Sequence, residues 1–178
     1  MYSPNTPSAY SASSSMILTR VDRSQITSEA YYEFFKEIDI NGNPVWTNDI
    51  TQRGAVFTHI SGTGQPRALR SWISYNPVIK RYLWWQQAYD GTADTRSSGG
   101  FGIYDAPEPW GPWTTVYFTE DWDVGPGETA SFPPKWISTD GRTLYLVFSG
   151  DDSFSVRKAT LFLTDFIPPS APTGLLVE

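Results

Sequence analysis

The side chains most able to do chemistry lie in two acidic clusters. Glu120-Asp-Trp-Asp123 places three carboxylates around an indole, and Asp151-Asp152 supplies two more. Glycoside hydrolysis needs paired carboxylates, one as acid and one as base or nucleophile, while an aromatic face stacks on a sugar ring. Glu120, Asp121, Asp151 and Asp152 are therefore the candidate catalytic groups, with Trp122 and Asp123 as substrate contacts. No fixed motif governs their spacing, and the plainer alternative for each acid is a solvated loop residue or a turn cap. The oxygens of Asp121, Asp123, Asp151 and Asp152 also suit calcium, but no EF-hand-like spacing is present, and no cofactor is assigned.

Lys135 is expected at the start of an innermost strand, where it would meet an anionic sugar or orient a carboxylate; a surface ion pair is the alternative. Gln86 and Gln87 complete the substrate-binding set. The single histidine, His59, and the absence of cysteine leave little room for a serine triad and none for thiolate zinc or a cysteine nucleophile. Trp84, Trp85, Trp110, Trp113 and Trp136 are read as packing between sheets.

These residues need a scaffold, and the composition points to strands. Aromatics make up 16% of 178 residues while Gly and Pro number 14 each, a pairing of strand formers with turn formers. A formal charge of -6 argues against nucleic acid as a partner, because phosphate neutralisation needs clustered cations. No apolar run reaches membrane-spanning length, so no membrane partner is expected. The N-terminal Met1-Tyr-Ser-Pro-Asn lacks the basic start and apolar core of a secretory leader.

The expected strands are Ser15 to Val21, Pro44 to Thr47, Arg70 to Tyr75, Arg81 to Tyr89, Gly100 to Asp105, Trp113 to Thr119, Lys135 to Ser138, Thr143 to Ser149 and Val156 to Thr164. One short helix is predicted over Ser28 to Lys36, capped by Ser28. Trp72-Ile-Ser74 before one hairpin and Trp136-Ile-Ser138 before another suggest two copies of one unit, with Trp72 and Trp136 buried at matching positions. Repeated four-stranded antiparallel units are blades of a β-propeller. The reading is an all-β partial propeller over residues 1–166, one complete blade with parts of two others, followed by a proline-rich linker at 167–178 that resembles the entry to a fibronectin type III module. The missing blades would come from upstream sequence or another copy.

Alternate strand connections fall at opposite ends of a blade. The tight turns Asn76 to Lys80 and Asp140-Gly141 are expected at one end, and the long loops Asn48 to Leu69, Asp90 to Gly99, Glu120 to Ser131 and Gly150 to Ser155 at the other, functional end.

Three stretches carry a family likeness: Ala30-Tyr-Tyr-Glu-Phe-Phe35 with Gly42-Asn-Pro-Val-Trp46, Gly100-Phe-Gly-Ile-Tyr-Asp-Ala-Pro-Glu-Pro-Trp-Gly-Pro-Trp113, and Phe132-Pro-Pro-Lys-Trp136 through Phe148-Ser-Gly-Asp-Asp152. Together they resemble the DUF4185-type propellers of exported bacterial proteins, which are similar to the five-bladed family-43 glycoside hydrolases and to sialidase-like propellers. The likeness covers the later half of such a domain. It implies an exported or cell-surface parent acting on a poly- or oligosaccharide, glycoside hydrolase-like, with a non-catalytic glycan-binding or structural propeller as the alternative. Because the catalytic base of family-43 enzymes lies in the first blade, the resemblance implies that this chain alone lacks turnover. Ser138-Thr-Asp140-Gly141 departs from the sialidase blade turn by one missing spacer, which leaves an ordinary tight turn and no support for sialidase activity.

Overall fold

The computed structural model describes residues 1–8, 11–58, 71–88 and 94–163. The expected linker at 167–178 lies outside them. Three antiparallel sheets follow one another along the chain. The first orders β1 (Tyr2–Pro4), β2 (Ser15–Arg20), β3 (Glu33–Ile38) and β4 (Pro44–Thr47), with β5 (Phe57–Thr58) also paired to β2. The second orders β6 (Ser71–Asn76), β7 (Arg81–Ala88), β8 (Gly100–Ala106) and β9 (Thr114–Thr119). The third orders β10 (Ala130–Ser131), β11 (Thr143–Phe148) and β12 (Ser155–Thr160). Sequential meanders packed face to face are the arrangement of consecutive propeller blades, and the described residues contain no α-helix.

The second sheet is the hinge of the packing because side chains alternate faces along a strand. Trp84 and Trp85 are neighbours in β7 and both are 0% exposed, so their indoles must enter opposite seams. Trp84 joins Met16, Leu18, Phe35 and Phe57 against the first sheet, stacking on Phe57 at 4.8 Å between ring centroids. Trp85 joins Leu83, Phe101, Leu144, Leu146 and Phe148 against the third sheet. Gly102 makes the first seam possible: a Cβ there would stand 2.6 Å from the ring of Tyr104, which folds back over it.

Three local expectations change. Over Ser28 to Lys36 only Glu29–Tyr31 turns, as a 3-10 helix without a side-chain cap from Ser28, and Glu33–Ile38 is strand β3. Pairing with both β2 and β4, together with an aromatic run suited to a pleated face, outweighs the weak helix signal. Over Lys135 to Ser138 there is no strand. Pro133 and Pro134 lack the N–H groups a ladder needs, so Pro134–Trp136 winds into a 3-10 turn, and the first strand of the third sheet is the earlier Ala130–Ser131. Lys135 is accordingly exposed on a turn, away from any innermost strand start. Finally, Trp72 and Trp136 are 51% and 45% exposed instead of buried. Trp72 stands on β6, the sheet's inner edge, and Trp136 on the 3-10 turn, so neither is enclosed by a neighbouring strand on all sides.

The two ends of the blades differ as their loops do. At one end Asn76, fully buried, donates from Nδ2 to the Gly141 carbonyl at 2.8 Å and so ties the tight turns of the second and third sheets together. At the other end the loops 94–99, 120–129 and 149–154 pack on one another. Gly127 N–H donates to Thr95 O at 2.9 Å, Trp122 N–H to Gly99 O at 3.0 Å, and Gln87 Nε2 to Gly127 O at 2.5 Å. Gly125 fits only because it has no side chain: a Cβ would lie 2.2 Å from Arg96 O.

Two sets of variants test this packing. Trp84→Ala is expected to cost about 3 to 5 kcal/mol in urea denaturation, whereas Trp136→Ala, at a half-exposed ring, costs about 1 kcal/mol or less. Equal losses for the two would contradict the seam assignment. Gly125→Ala forces the 94–99 and 120–129 loops apart and is expected to cost about 2 kcal/mol or more; an unchanged urea midpoint would show that the loops are not held in this contact.

Candidate functional site

The junction of long loops positions the acidic side chains, and it uses two of them, Asp123 and Asp151, as latches. Asp151 accepts the Gly125 N–H at 3.1 Å through Oδ1. Asp123 pairs with Arg157 of β12 at 2.9 Å. Asp121 has its backbone held by Thr119, whose hydroxyl accepts the Asp121 N–H at 3.3 Å and donates to its carbonyl. Burial, and secondarily the Glu120 carboxylate, pushes the Tyr104 phenol up to about 12. Of the four carboxylates proposed for catalysis, Asp151 anchors a loop and Asp152 lines a cleft, whereas the contacts of Asp121 with Thr119 run through its backbone.

Trp122 is half-buried. Its ring meets Phe101 at 4.6 Å and Phe148 at 4.9 Å between centroids, and the Arg157 guanidinium lies 5.2 Å from its centre. It acts as a wedge between the second and third sheets. Gln86 and Gln87 are buried in β7, where Gln86 Oε1 accepts the Trp84 indole N–H at 3.3 Å. They brace the seams. His59 lies outside the described residues. Among the described residues no group of three or more His, Cys, Asp or Glu is gathered for a metal ion.

A different set of residues forms a cleft at this end. A space of about 460 Å³ opens beside the inner edge of the third sheet, lined by Trp72 and Phe154 together with Ser131, Ser149, Ser153 and Asp152. Trp72 reaches it because the register sets it across from Trp85 on the face toward the third sheet, while among the described residues β6 has no strand beyond it. Phe154 is 77% exposed and is carried there by an unusual loop. Asp151 and Asp152 both adopt left-handed backbone, at φ 48° and 58°, which reverses the chain after β11 within a few residues. The Asp151 latch to Gly125 holds that conformation, as does Ser149, whose hydroxyl accepts the Glu128 N–H at 3.0 Å. The sequence signal for this site is Trp72 at the head of an innermost strand together with Phe154 after a polar loop.

The charges around the cleft are ordered. Arg96 donates to Asp94 through Nη2 at 2.7 Å, and this contact with the Arg96 backbone N–H holds Asp94 below the ordinary carboxylate range. Arg96 Nη1 lies 3.6 Å from Asp152 Oδ2. The arrangement offers aromatic faces, hydroxyls and one carboxylate, the elements that bind a polar ring with apolar faces.

No family model and no curated protein matches this chain. Among solved structures it is similar to the exo-β-1,3-galactanase of Phanerochaete chrysosporium. The complex with β-1,3-galactotriose matches at 17% identity and TM-score 0.45, over 83% of this chain and 33% of that one. The galactose complex matches at 18% identity and TM-score 0.44, over 82% and 32%. A family-43 β-1,3-galactosidase matches at 14% identity and TM-score 0.41, over 85% of this chain and 31% of that one. The chain therefore spans about a third of the length of these structures.

Proposed function

We propose that this chain is part of a glycoside hydrolase-like propeller of the DUF4185 type, from an exported or cell-surface protein, and that it binds a saccharide in the Trp72–Phe154 cleft without cleaving it. The observation that carries the reading is the cleft itself, lined by two exposed aromatic residues, serines and one carboxylate residue at the end of the blades that gathers the long loops. Aromatic faces stack on the C–H faces of sugar rings, and the hydroxyls and carboxylate serve the ring's own hydroxyls.

The absence of turnover follows from the carboxylates. Hydrolysis by the common route needs two facing each other across the bond to be broken. Among the described lining residues Asp152 is the single one, and Asp123 and Asp151 are spent on Arg157 and Gly125. A second carboxylate would be supplied by further blades, from upstream sequence or another copy. The outer face of the third sheet, where Trp136, Tyr145 and Val156 are exposed, is suited to receive one.

Tryptophan fluorescence titration with a panel of neutral oligosaccharides, β-1,3-galactotriose among them, tests the reading. Trp72→Ala is expected to weaken binding about fivefold to tenfold, the worth of one stacked ring, with little change in the urea midpoint. Chromatography of the same mixtures should show no released sugar. Unchanged affinity in Trp72→Ala would remove the cleft from the binding site, and released sugar would overturn the non-catalytic assignment.

A further inference from the structure

Taking the cleft as a saccharide site, a step that rests on the reading above, we propose that its preferred ligand is a cationic amino sugar, in preference to a neutral or an acidic one. Among the described residues lining the cleft, Asp152 is the only charged side chain. Its nearby cation is shared: the single Arg96 guanidinium pairs with both Asp94 and Asp152, so this group of three side chains keeps one net negative charge. Arg96 directs Nε at both Asp94 oxygens, at 3.0 and 3.2 Å, and Nη2 at Asp94 Oδ2, at 2.7 Å. Its Nη1 comes only to 3.6 Å from Asp152, beyond hydrogen-bond range. Asp94 takes the directed N–H groups, and the Asp152 carboxylate, 71% exposed, retains acceptor capacity toward the cleft.

The aromatic walls act with the same sign. An indole or phenyl face attracts a cation held within about 6 Å of its centre, so Trp72 and Phe154 add to the carboxylate instead of opposing it. A protonated sugar amine would donate to Asp152 while its ring stacks on Trp72. A neutral ring keeps the stacking and loses the charge contact. A uronic acid meets Asp152 with like charge, in the field of a chain whose formal charge is -6.

The test titrates the full chain with three trisaccharides at low ionic strength and mildly acidic pH: a glucosamine trimer, its N-acetylated counterpart, and a galacturonic acid trimer. The amine form is expected to bind about fivefold or more tightly than the N-acetylated form, with the uronate weakest. Asp152→Asn should abolish this preference while leaving the N-acetylated affinity in place, and Trp72→Ala should weaken the glucosamine and N-acetylated trimers alike. An N-acetylated trimer bound as tightly as the amine form, or a preference that survives Asp152→Asn, overturns the proposal and leaves the saccharide site standing. If none of the three binds to a cooperatively folded chain, the amino-sugar proposal is overturned, and the saccharide reading is overturned with it only where the neutral panel, β-1,3-galactotriose included, also fails to bind.

Discussion

Two adjacent indoles on β7 hold this protein together. Because successive side chains of a strand leave on opposite faces, Trp84 and Trp85 commit the second sheet to being covered twice, once by Met16, Leu18, Phe35 and Phe57 and once by Leu144, Leu146 and Phe148. Each large ring removed from water contributes more than a typical aliphatic side chain, and aromatic contacts such as Trp84 on Phe57 add geometric preference to that burial. The order of sheets along the chain follows from this double demand. A sheet with one buried face ends a stack, whereas a sheet with two must lie within it.

The same constraint decides where the outside is. The β7 and β8 strands are enclosed, β9 on the outer edge is exposed along most of its length, and β6 on the inner edge turns Trp72 toward open space. An inner edge lined by aromatic side chains and loops gathered at one end produces a cleft without any dedicated element to build it. The loops themselves are held by backbone contacts through Gly125 and Gly127 and by the Asp151 latch, so the shape of the site depends on small residues and turn geometry more than on the acidic groups that first suggest chemistry. The polar side chains buried in the seams have a bracing role of the same kind. Asn76 joins two turns at one end and Gln87 joins β7 to the Gly127 carbonyl at the other, each donating a directed bond from its side-chain amide.

The element map was largely legible in the sequence wherever alternation and turn chemistry agreed. The strands at Arg81–Ala88, Gly100–Ala106, Thr114–Thr119 and Thr143–Phe148 follow their patterns closely, and Gly141 turns at positive φ where Asp140-Gly141 announces a hairpin. The two misread segments are those where a local signal was ambiguous. Ser28 to Lys36 mixes a cap-like serine with aromatics that fit either structure, and strand pairing decided for β3. Lys135 to Ser138 shares Trp-Ile-Ser with the earlier Trp72 strand, but the two prolines just before it withhold ladder donors, so the similarity of letters is not a similarity of backbone.

By itself the sequence determined the all-β class, the positions of most strands, the placement of the tight turns opposite the loops at 94–99, 120–129 and 149–154, and the acidic character of that loop end, while residues 59–69 of the expected loop Asn48 to Leu69 lie outside the described residues. Each of these follows from patterns within a few residues: alternation, turn formers, charge. Only the tertiary structure decided which side chains are used up in holding that end together and which are left for a ligand. Asp123 and Arg157 are 34 residues apart, Gly125 and Asp151 are 26 apart, and no local pattern announces that they meet. Nor does any local pattern distinguish Trp122, wedged between Phe101 and Phe148, from Trp72, which faces the cleft. Both are tryptophans beside polar residues, and their difference lies in what the neighbouring sheet brings against them, a property of packing between distant segments.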